Sequence, residues 1–329
     1  MKPEMDVINQ KVRVESQVID RLLAEMGKVI VGQKDLLERM VIALITGGHI
    51  LLEGVPGLAK TLAIRTLARV LKLNFKRIQF TPDLLPADLT GTMVFNPKTG
   101  EFATRKGPIF THLLLADEIN RAPAKVQSAL LEAMQELQVT IGEQSHPIEK
   151  PFMVMATQNP IEQEGTYPLP EAQIDRFLLK VKITYPSAKE EKEIVERHAQ
   201  IEEADVQPVC SREELKRLNQ AYRLVYMDER LKDYILNLVL ATRFPAQHGL
   251  AKLKPLIQYG ASPRASITLS ETAKAMAFVR RRGYVMPEDV KAVGRDVLRH
   301  RIILSYEAEA EEMSTDDVIT EIFNNVVVP

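Results

Sequence analysis

The sequence predicts an α/β domain built on a parallel sheet, followed by a smaller all-helical domain. Short apolar runs bounded by turn residues alternate with helical patterns as far as Pro186, which is typical of strands covered by helices. One run leads into a glycine-rich turn and a helix, and another ends in two carboxylates. From Ala188 onward the apolar residues recur at helical spacing without strands, so we expect domains at 1–186 and 187–329.

Composition limits the class of protein. A chain of 329 residues, 45% of them hydrophobic, can bury a substantial core. Its net charge of −1 gives no field that favours nucleic acid or an anionic membrane. Cys210 is the only cysteine, which excludes an intrachain disulfide and a cysteine-based zinc site. There is no apolar run long enough to span a membrane and no signal-peptide core, so we expect a cytoplasmic protein.

The individual elements follow from apolar spacing. Residues 1–15 are polar and predict a loose leader. Strands are predicted at 50–52, 75–80, 112–116, 152–156 and 177–183. Helices are predicted at 18–29, 34–45, 61–71, 124–136, 188–203, 211–225, 229–242, 265–281 and 287–299.

Two further stretches have hairpin patterns. Residues 92–104 surround a turn that contains Pro97 and Gly100, and residues 138–148 alternate around Gly142. The first hairpin is either a contact element beside the main domain or an edge decoration.

Residues 49–61 have the order of a phosphate-binding loop: strand, glycine-rich turn, Lys-Thr and helix. The Lys60 ammonium would reach the β- and γ-phosphates, and the Thr61 hydroxyl would ligate Mg²⁺. Ala59 stands where the pattern has its second glycine, and an alanine is accommodated there if its φ is negative. The stretch also fits an ordinary strand–turn–helix with a solvated lysine.

Polar side chains follow two of the predicted strands. Asp117 and Glu118 come after the run 112–116, and Asn159 comes after the strand 152–156. Ligands of parallel sheets bind outside the carboxyl ends of the strands, so these side chains would face the site. Asp117 would hold Mg²⁺ and Glu118 would polarise an attacking water, with Asn159 near the γ-phosphate. Each could instead be a solvated strand-end or turn residue.

The start of the helix near residue 263 carries a cation. Pro263 suits the first turn and Ser262 suits its cap. Arg264 opposes the helix macrodipole there, which suggests an anionic partner, although a solvated arginine fits equally.

Together these motifs closely resemble those of the AAA+ ATPases, and within them the MoxR family. The resemblance covers nearly the whole chain, from Val31 to the final helices, and five motifs in the right order make it specific. They are Gly54-Val55-Pro56-Gly57-Leu58-Ala59-Lys60-Thr61, Leu115-Ala116-Asp117-Glu118-Ile119-Asn120-Arg121-Ala122, Ala156-Thr157-Gln158-Asn159-Pro160, Gln173-Ile174-Asp175-Arg176-Phe177 and Gly260-Ala261-Ser262-Pro263-Arg264.

The resemblance implies a P-loop NTPase core with a helical lid, and a role for each matching residue. The loop Gly54 to Thr61 corresponds to Walker A, and Gln79 to a polar residue that restrains the catalytic glutamate. The other implied roles are Walker B for Asp117 and Glu118, sensor 1 for Asn159, arginine finger for Arg176, sensor 2 for Arg264, and adenine pocket for Val31, Gly32 and Gln33.

The resemblance also implies a function: hydrolysis of ATP to ADP with Mg²⁺ in a ring, expected to be a hexamer, that remodels or matures protein partners. Proteins with von Willebrand factor A domains are candidate partners. The alternatives are a nucleic-acid motor, a chelatase-type metal-insertion motor and a non-enzymatic, nucleotide-gated scaffold. The neutral net charge argues against a nucleic-acid motor. The complete Walker B pair argues against a non-enzymatic scaffold.

Overall fold

The structure is a computed structural model that describes residues 3–55, 57–160, 166–198 and 205–329. The chain divides into two compact units. The α/β unit comprises Asp20–Phe177 and Val181–Glu214, and the helical unit comprises Met1–Ile19, Leu178–Lys180 and Leu215–Pro329.

A five-stranded sheet organises the α/β architecture, as predicted. The strands up to Lys182 are β1 (Ile50–Glu53), β2 (Phe75–Gln79), β3 (Gly91–Asn96), β4 (Glu101–Lys106), β5 (Leu113–Asp117), β6 (Gln138–Ile141), β7 (Gln144–Pro147), β8 (Met153–Gln158) and β9 (Leu179–Lys182). The strand order in the five-stranded sheet is β2-β5-β8-β1-β9. The pairs β2–β5, β5–β8 and β8–β1 are parallel, with Gln79 opposite Asp117 and Glu53 opposite Gln158. The carboxyl ends of these strands therefore lie along one edge.

The predicted helices are present, with modest differences at their ends. The helices are α1 (Pro3–Glu15), α2 (Gln17–Val29), α3 (Lys34–Thr46), α4 (Lys60–Leu71), α5 (Pro86–Thr90), α6 (Ala124–Glu136), α7 (Glu171–Ile174), α8 (Ala188–His198), α9 (Arg212–Ala221), α10 (Glu229–Arg243), α11 (Pro263–Val279), α12 (Pro287–Leu298), α13 (Tyr306–Ala310) and α14 (Thr315–Asn325). The end of the predicted helix 188–203 lies outside the described residues. Helix α6 buries Val126, Leu130 and Met134 in one cluster with Leu114 and Val154 of the sheet, as its apolar spacing predicts.

Both predicted hairpins are present. Strands β3 and β4 pair antiparallel with Phe95 opposite Phe102, and β6 pairs antiparallel with β7. The rings of Phe95 and Phe102 lie 5.2 Å apart between centroids, and both side chains are exposed.

The segment that follows Pro186, where we expect the domain boundary, packs on the α/β unit. The Arg197 guanidinium donates hydrogen bonds to the carbonyl oxygens of Gly27 (3.1 Å) and Lys28 (2.7 Å). The Val209 amide donates to the carbonyl oxygen of Val70 at 2.9 Å. These contacts hold the chain to the α/β unit as far as Glu214.

The prediction of a loose leader is wrong, since residues 3–15 form α1 within the helical unit. Val12 is fully buried, and Asn9 Oδ1 accepts a hydrogen bond of 2.8 Å from the amide of Gly283. Long-range packing stabilises a helix whose own apolar pattern is weak.

The helical unit also contains a small ladder, so the prediction that it lacks strands is wrong. Strand β10 (Ile257–Tyr259) pairs antiparallel with β11 (Ile303–Leu304).

A Cβ on Gly294 of α12 would lie 2.2 Å from the Phe323 ring, so this glycine permits the close approach of α12 and α14. None of the helices in the described ranges is long and apolar enough to cross a membrane.

Candidate active site

The turn between β1 and α4 carries the predicted phosphate-binding residues. Lys60 Nζ donates a hydrogen bond of 2.5 Å to the carbonyl oxygen of Gly54 at the opposite end of the turn. The lysine therefore reaches back across the turn, beside the first N–H groups of α4, which have no acceptor within their own helix. Pro56 lies outside the described residues, and Gly57 has φ 86°. Val55 and Leu58 complete this part of the turn.

The backbone of Ala59 does not have the negative φ that we expected to accommodate an alanine at this position. Its φ is +55° and its ψ is 18°, which is the left-handed region rather than a negative φ. The turn needs this conformation to bring the chain into α4. An alanine adopts it at a cost of about 1–2 kcal/mol relative to a right-handed residue.

The environment of Lys60 combines burial with negative charge. Burial lowers the pKa of its ammonium, while the charges of Asp117 and Glu118 raise it in opposition. The two carboxylates therefore favour the charged form of the loop lysine.

Asp117 ends β5 with both carboxylate oxygens bonded. Oδ1 accepts a hydrogen bond of 2.6 Å from the Thr157 hydroxyl. Oδ2 accepts bonds from Arg77 Nε at 3.1 Å and Arg77 Nη2 at 2.7 Å. The aspartate is thus oriented by the strands on either side of it.

Glu118 lies just beyond the strand with a left-handed backbone, φ 55°. Its Oε2 accepts hydrogen bonds from Gln79 Nε2 at 2.8 Å and from Arg121 Nη1 at 3.1 Å. Its amide N–H donates to Thr157 Oγ1 at 2.8 Å. Gln79 therefore contacts the glutamate that the resemblance pairs with it, and Arg121 provides a second donor.

The sequence patterns did not predict that Arg77, Arg121 and Thr157 contact the two acidic residues. A signal existed for Thr157, which follows Ala156 at its strand end as Asp117 follows Ala116. Arg77 is two residues before Gln79 on β2, so both side chains project from the same face.

Each of the remaining predicted catalytic residues has its own local surroundings. Asn159 directly follows β8 and is buried. Arg176 is half-buried, and its Nη1 donates a hydrogen bond of 3.2 Å to the carbonyl oxygen of Leu131 on α6. Arg264 belongs to the helical unit, where its amide donates to the capping Ser262 Oγ at 3.2 Å, as predicted for the start of α11.

The segment Val31-Gly32-Gln33 forms a tight turn before α3. Gln33 has φ 51° and Gly32 φ 65°, and Gln33 Nε2 donates a hydrogen bond of 3.1 Å to the carbonyl oxygen of Thr184. The left-handed φ of Gly32 favours glycine, and a Cβ there would lie 2.5 Å from Oε1 at the end of the Glu190 side chain. The turn is held against the chain that follows β9.

The side chains expected to hold Mg²⁺ fit that ion in their chemistry. Thr61 offers a hydroxyl oxygen and Asp117 a carboxylate, and Mg²⁺ is typically bound by one or two protein oxygens together with phosphates and water. In the sequence Thr61 directly follows Lys60, and Asp117 directly precedes Glu118.

Two family profiles match this chain. The first is described as the ATPase family associated with various cellular activities (AAA) and matches residues 49–179. The second is described as an AAA lid domain and matches residues 251–322. The first contains the loop and both carboxylates, and the second contains Arg264.

Similar proteins extend over almost the whole chain. Chaperone MoxR1 of Mycobacterium tuberculosis is 50% identical over 315 residues, which are 96% of this chain and 83% of that protein. Protein MoxR of Paracoccus denitrificans is 31% identical over 93% of this chain and 95% of its own length. A crystal structure of a Cytophaga hutchinsonii protein superposes with a TM-score of 0.92 at 52% identity, covering 99% of both chains.

Proposed function

The chain belongs to the MoxR family of AAA+ ATPases, and on that premise we propose that it hydrolyses ATP with Mg²⁺ in a ring, expected to be a hexamer, to remodel or mature protein partners. The observation that supports the chemistry most directly is the position of Asp117 and Glu118 at the end of β5, where each carboxylate accepts side-chain hydrogen bonds, together with Lys60, which reaches across the predicted phosphate-binding turn.

The proposed mechanism assigns each group a task. The first N–H groups of α4 and the Lys60 ammonium bind phosphate oxygens and stabilise charge that develops on them. Thr61 and Asp117 would hold Mg²⁺, which supplies further charge neutralisation when bound. Glu118 accepts a proton from water once it is free of Gln79, and Asn159 orients that water.

Two arginines are proposed to complete the site. Arg176 would act on the nucleotide of a neighbouring subunit, and Arg264 on the nucleotide of its own. An arginine supplied in trans accelerates NTP hydrolysis by about 10³–10⁵-fold. Hydrolysis would then depend on assembly, because one subunit alone lacks one cation.

The partners are proposed from the names of the relatives and from the sequence. A relative is named a chaperone, and the exposed aromatic pair of the β3–β4 hairpin offers apolar surface to a protein. Proteins with von Willebrand factor A domains remain candidates, and the cytoplasmic location remains a prediction.

Complementation between inactive variants tests the proposal. Lys60→Met should lose nucleotide binding and Arg176→Ala should lose hydrolysis while still binding nucleotide. Mixed assemblies should regain activity, since one variant supplies the arginine and the other the intact loop. Arg212→Ala, an exposed arginine on α9, is the control and should keep wild-type activity. Absence of recovery, or full activity of Arg176→Ala alone, would contradict action in trans.

Glu118→Gln tests the base and the partner together. It should bind ATP without turnover and retain a protein partner in a pull-down that ADP abolishes. Glu136→Gln, an exposed residue at the end of α6, is the control.

Hydrolysis stimulated by DNA, with salt-dependent DNA binding, would instead favour a nucleic-acid motor. Porphyrin-dependent activity would favour a chelatase motor.

A further inference from the structure

The Arg77 side chain links the two carboxylate residues of the candidate site, and the proposed mechanism gives it no task. Its Nη2 donates hydrogen bonds to Asp117 Oδ2 at 2.7 Å and to Gln79 Oε1 at 2.8 Å. Gln79 Nε2 in turn donates to Glu118 Oε2 at 2.8 Å. One guanidinium therefore contacts both the proposed metal ligand and the side chain that holds the proposed base.

We propose that Arg77 is a positioning residue that neutralises Asp117 before the metal binds and, through Gln79, keeps Glu118 bonded until Arg77 leaves. Arrival of the metal and release of the base would then be one coupled event. The inference rests on the proposed function, because it takes Asp117 as a metal ligand and Glu118 as the base.

The orientation of the Gln79 amide provides the coupling. Arg77 has only donors, whereas ionised Glu118 has only acceptors, so an amide between them is satisfied at both ends in one orientation. When Arg77 departs, Gln79 Oε1 loses this donor, and only the hydrogen bond to Glu118 still fixes the amide. The hydrogen bond from Gln79 to Glu118 is then weakened.

Competition at Asp117 provides the trigger. Two Arg77 donors occupy Oδ2 and the Thr157 hydroxyl occupies part of Oδ1, so a cation that needs this carboxylate must displace some of them. A divalent ion beside a guanidinium is also repelled by it. Metal binding at Asp117 therefore favours departure of Arg77.

Arg77 can leave Asp117 without becoming a buried, unpaired charge. Its side chain is 49% exposed, against 16% for Asp117. Because Arg77 stays in contact with water, the pair lies closer to an exposed ion pair, which changes an equilibrium constant by about 1.4- to fivefold, than to a fully buried one. The contact is thus weak enough for a divalent ion to replace.

Nucleotide binding measured at increasing Mg²⁺ concentration tests this inference by a readout that does not depend on ATP hydrolysis. The probe is N-methylanthraniloyl-ADP, followed by fluorescence with wild-type protein, Arg77→Met, Arg77→Lys and Lys76→Met. Lys76 is the exposed neighbour on β2 and projects from the opposite face, so its loss removes the same charge without touching Asp117. Thermal unfolding of each variant checks that it is folded.

The Mg²⁺ concentration for half-maximal probe binding should fall about two- to fivefold in Arg77→Met, recover partly in Arg77→Lys and stay unchanged in Lys76→Met. Basal ATP turnover should rise in Arg77→Met by less than in Gln79→Ala, and the double variant should match Gln79→Ala, because Arg77 acts through Gln79. A wild-type Mg²⁺ requirement in Arg77→Met, or an equal shift in Lys76→Met, would overturn the inference. Failure of the wild type to bind the probe would contradict the proposed function itself, and this inference with it.

Discussion

The hydroxyl oxygen of Thr157 lies 2.6 Å from Oδ1 of Asp117, to which it donates a hydrogen bond. The same oxygen accepts the amide N–H of Glu118 at 2.8 Å. Because Thr157 is only 1% exposed, water cannot readily replace it. One strand-end hydroxyl therefore fixes both acidic residues of the candidate site.

Thr157→Val should destabilise the protein by about 1–3 kcal/mol, because the Glu118 amide and an Asp117 oxygen lose a buried partner. ATP turnover should fall as well, since the Asp117 carboxylate and the backbone of Glu118 lose the hydroxyl that orients them. Urea unfolding and a turnover assay measure the two effects. Thr111→Val is the control: the Thr111 hydroxyl is buried and has no hydrogen-bond partner among the described residues. Equal losses in both variants would contradict a specific role for Thr157.

Gln79→Ala should raise ATP turnover in the absence of a partner, by up to about tenfold, because a hydrogen bond to a charged group that holds Glu118 is removed. Arg121 still contacts the same oxygen, which limits the increase. Steady-state turnover with saturating ATP measures it, with Gln144→Ala on the exposed strand β7 as control. A fall in turnover would mean that Gln79 supports catalysis and does not restrain it.

Ala59→Gly should leave the free energy of unfolding unchanged or raise it by up to about 1 kcal/mol. Glycine accepts the positive φ of this position without strain, which offsets the greater freedom of its unfolded chain. Ala129→Gly in the interior of α6 should instead lower stability by about 1 kcal/mol. Chemical denaturation compares the two. A loss at Ala59 as large as that at Ala129 would argue against the strained turn.

Acidification should destabilise the protein through His49, whose pKa burial lowers to about 4 from 6.5, although the hydrogen bond to Met134 opposes this. Nδ1 accepts the amide N–H of Val154 at 3.0 Å, and Nε2 lies 3.3 Å from the carbonyl oxygen of Met134, so the neutral ring carries its proton on Nε2. The unfolded chain binds a proton that the folded ring does not. Stability therefore rises with pH between about 4 and 6.5, and about 2 kcal/mol is lost on going from pH 7 to pH 5.

Urea unfolding at pH 7 and pH 5 checks this expectation. His49→Asn keeps a polar side chain but removes the titrating group, so its stability should change less between the two pH values. His248→Asn should follow the wild type. A wild-type pH response in His49→Asn would contradict the assignment.

The sequence was informative where function depends on local order. Lys60 is identified by the turn and helix around it, and Asp117 and Glu118 by the apolar strand that precedes them. Parallel strands then bring these residues to one edge of the sheet, which is a general property of such folds.

Contacts between distant residues could not be predicted in this way. Arg77 and Thr157 matter because the sheet order places β2 and β8 on either side of β5, and sequence patterns do not specify that order. The helix α1 was missed for the same reason, since its contact with Gly283 lies far along the chain. The sign of φ at Ala59 depends on the turn as a whole.

The parallel register of β5 and β8 also constrains how this protein can vary. A one-residue slip within β8 would turn Thr157 to the opposite face of the sheet and away from Asp117. A change in length at the Gly142 turn of the β6–β7 hairpin leaves the register intact, because that turn precedes β8 and is not part of the sheet. Inherited insertions and deletions can therefore alter what the hairpin touches while the phosphate chemistry stays the same.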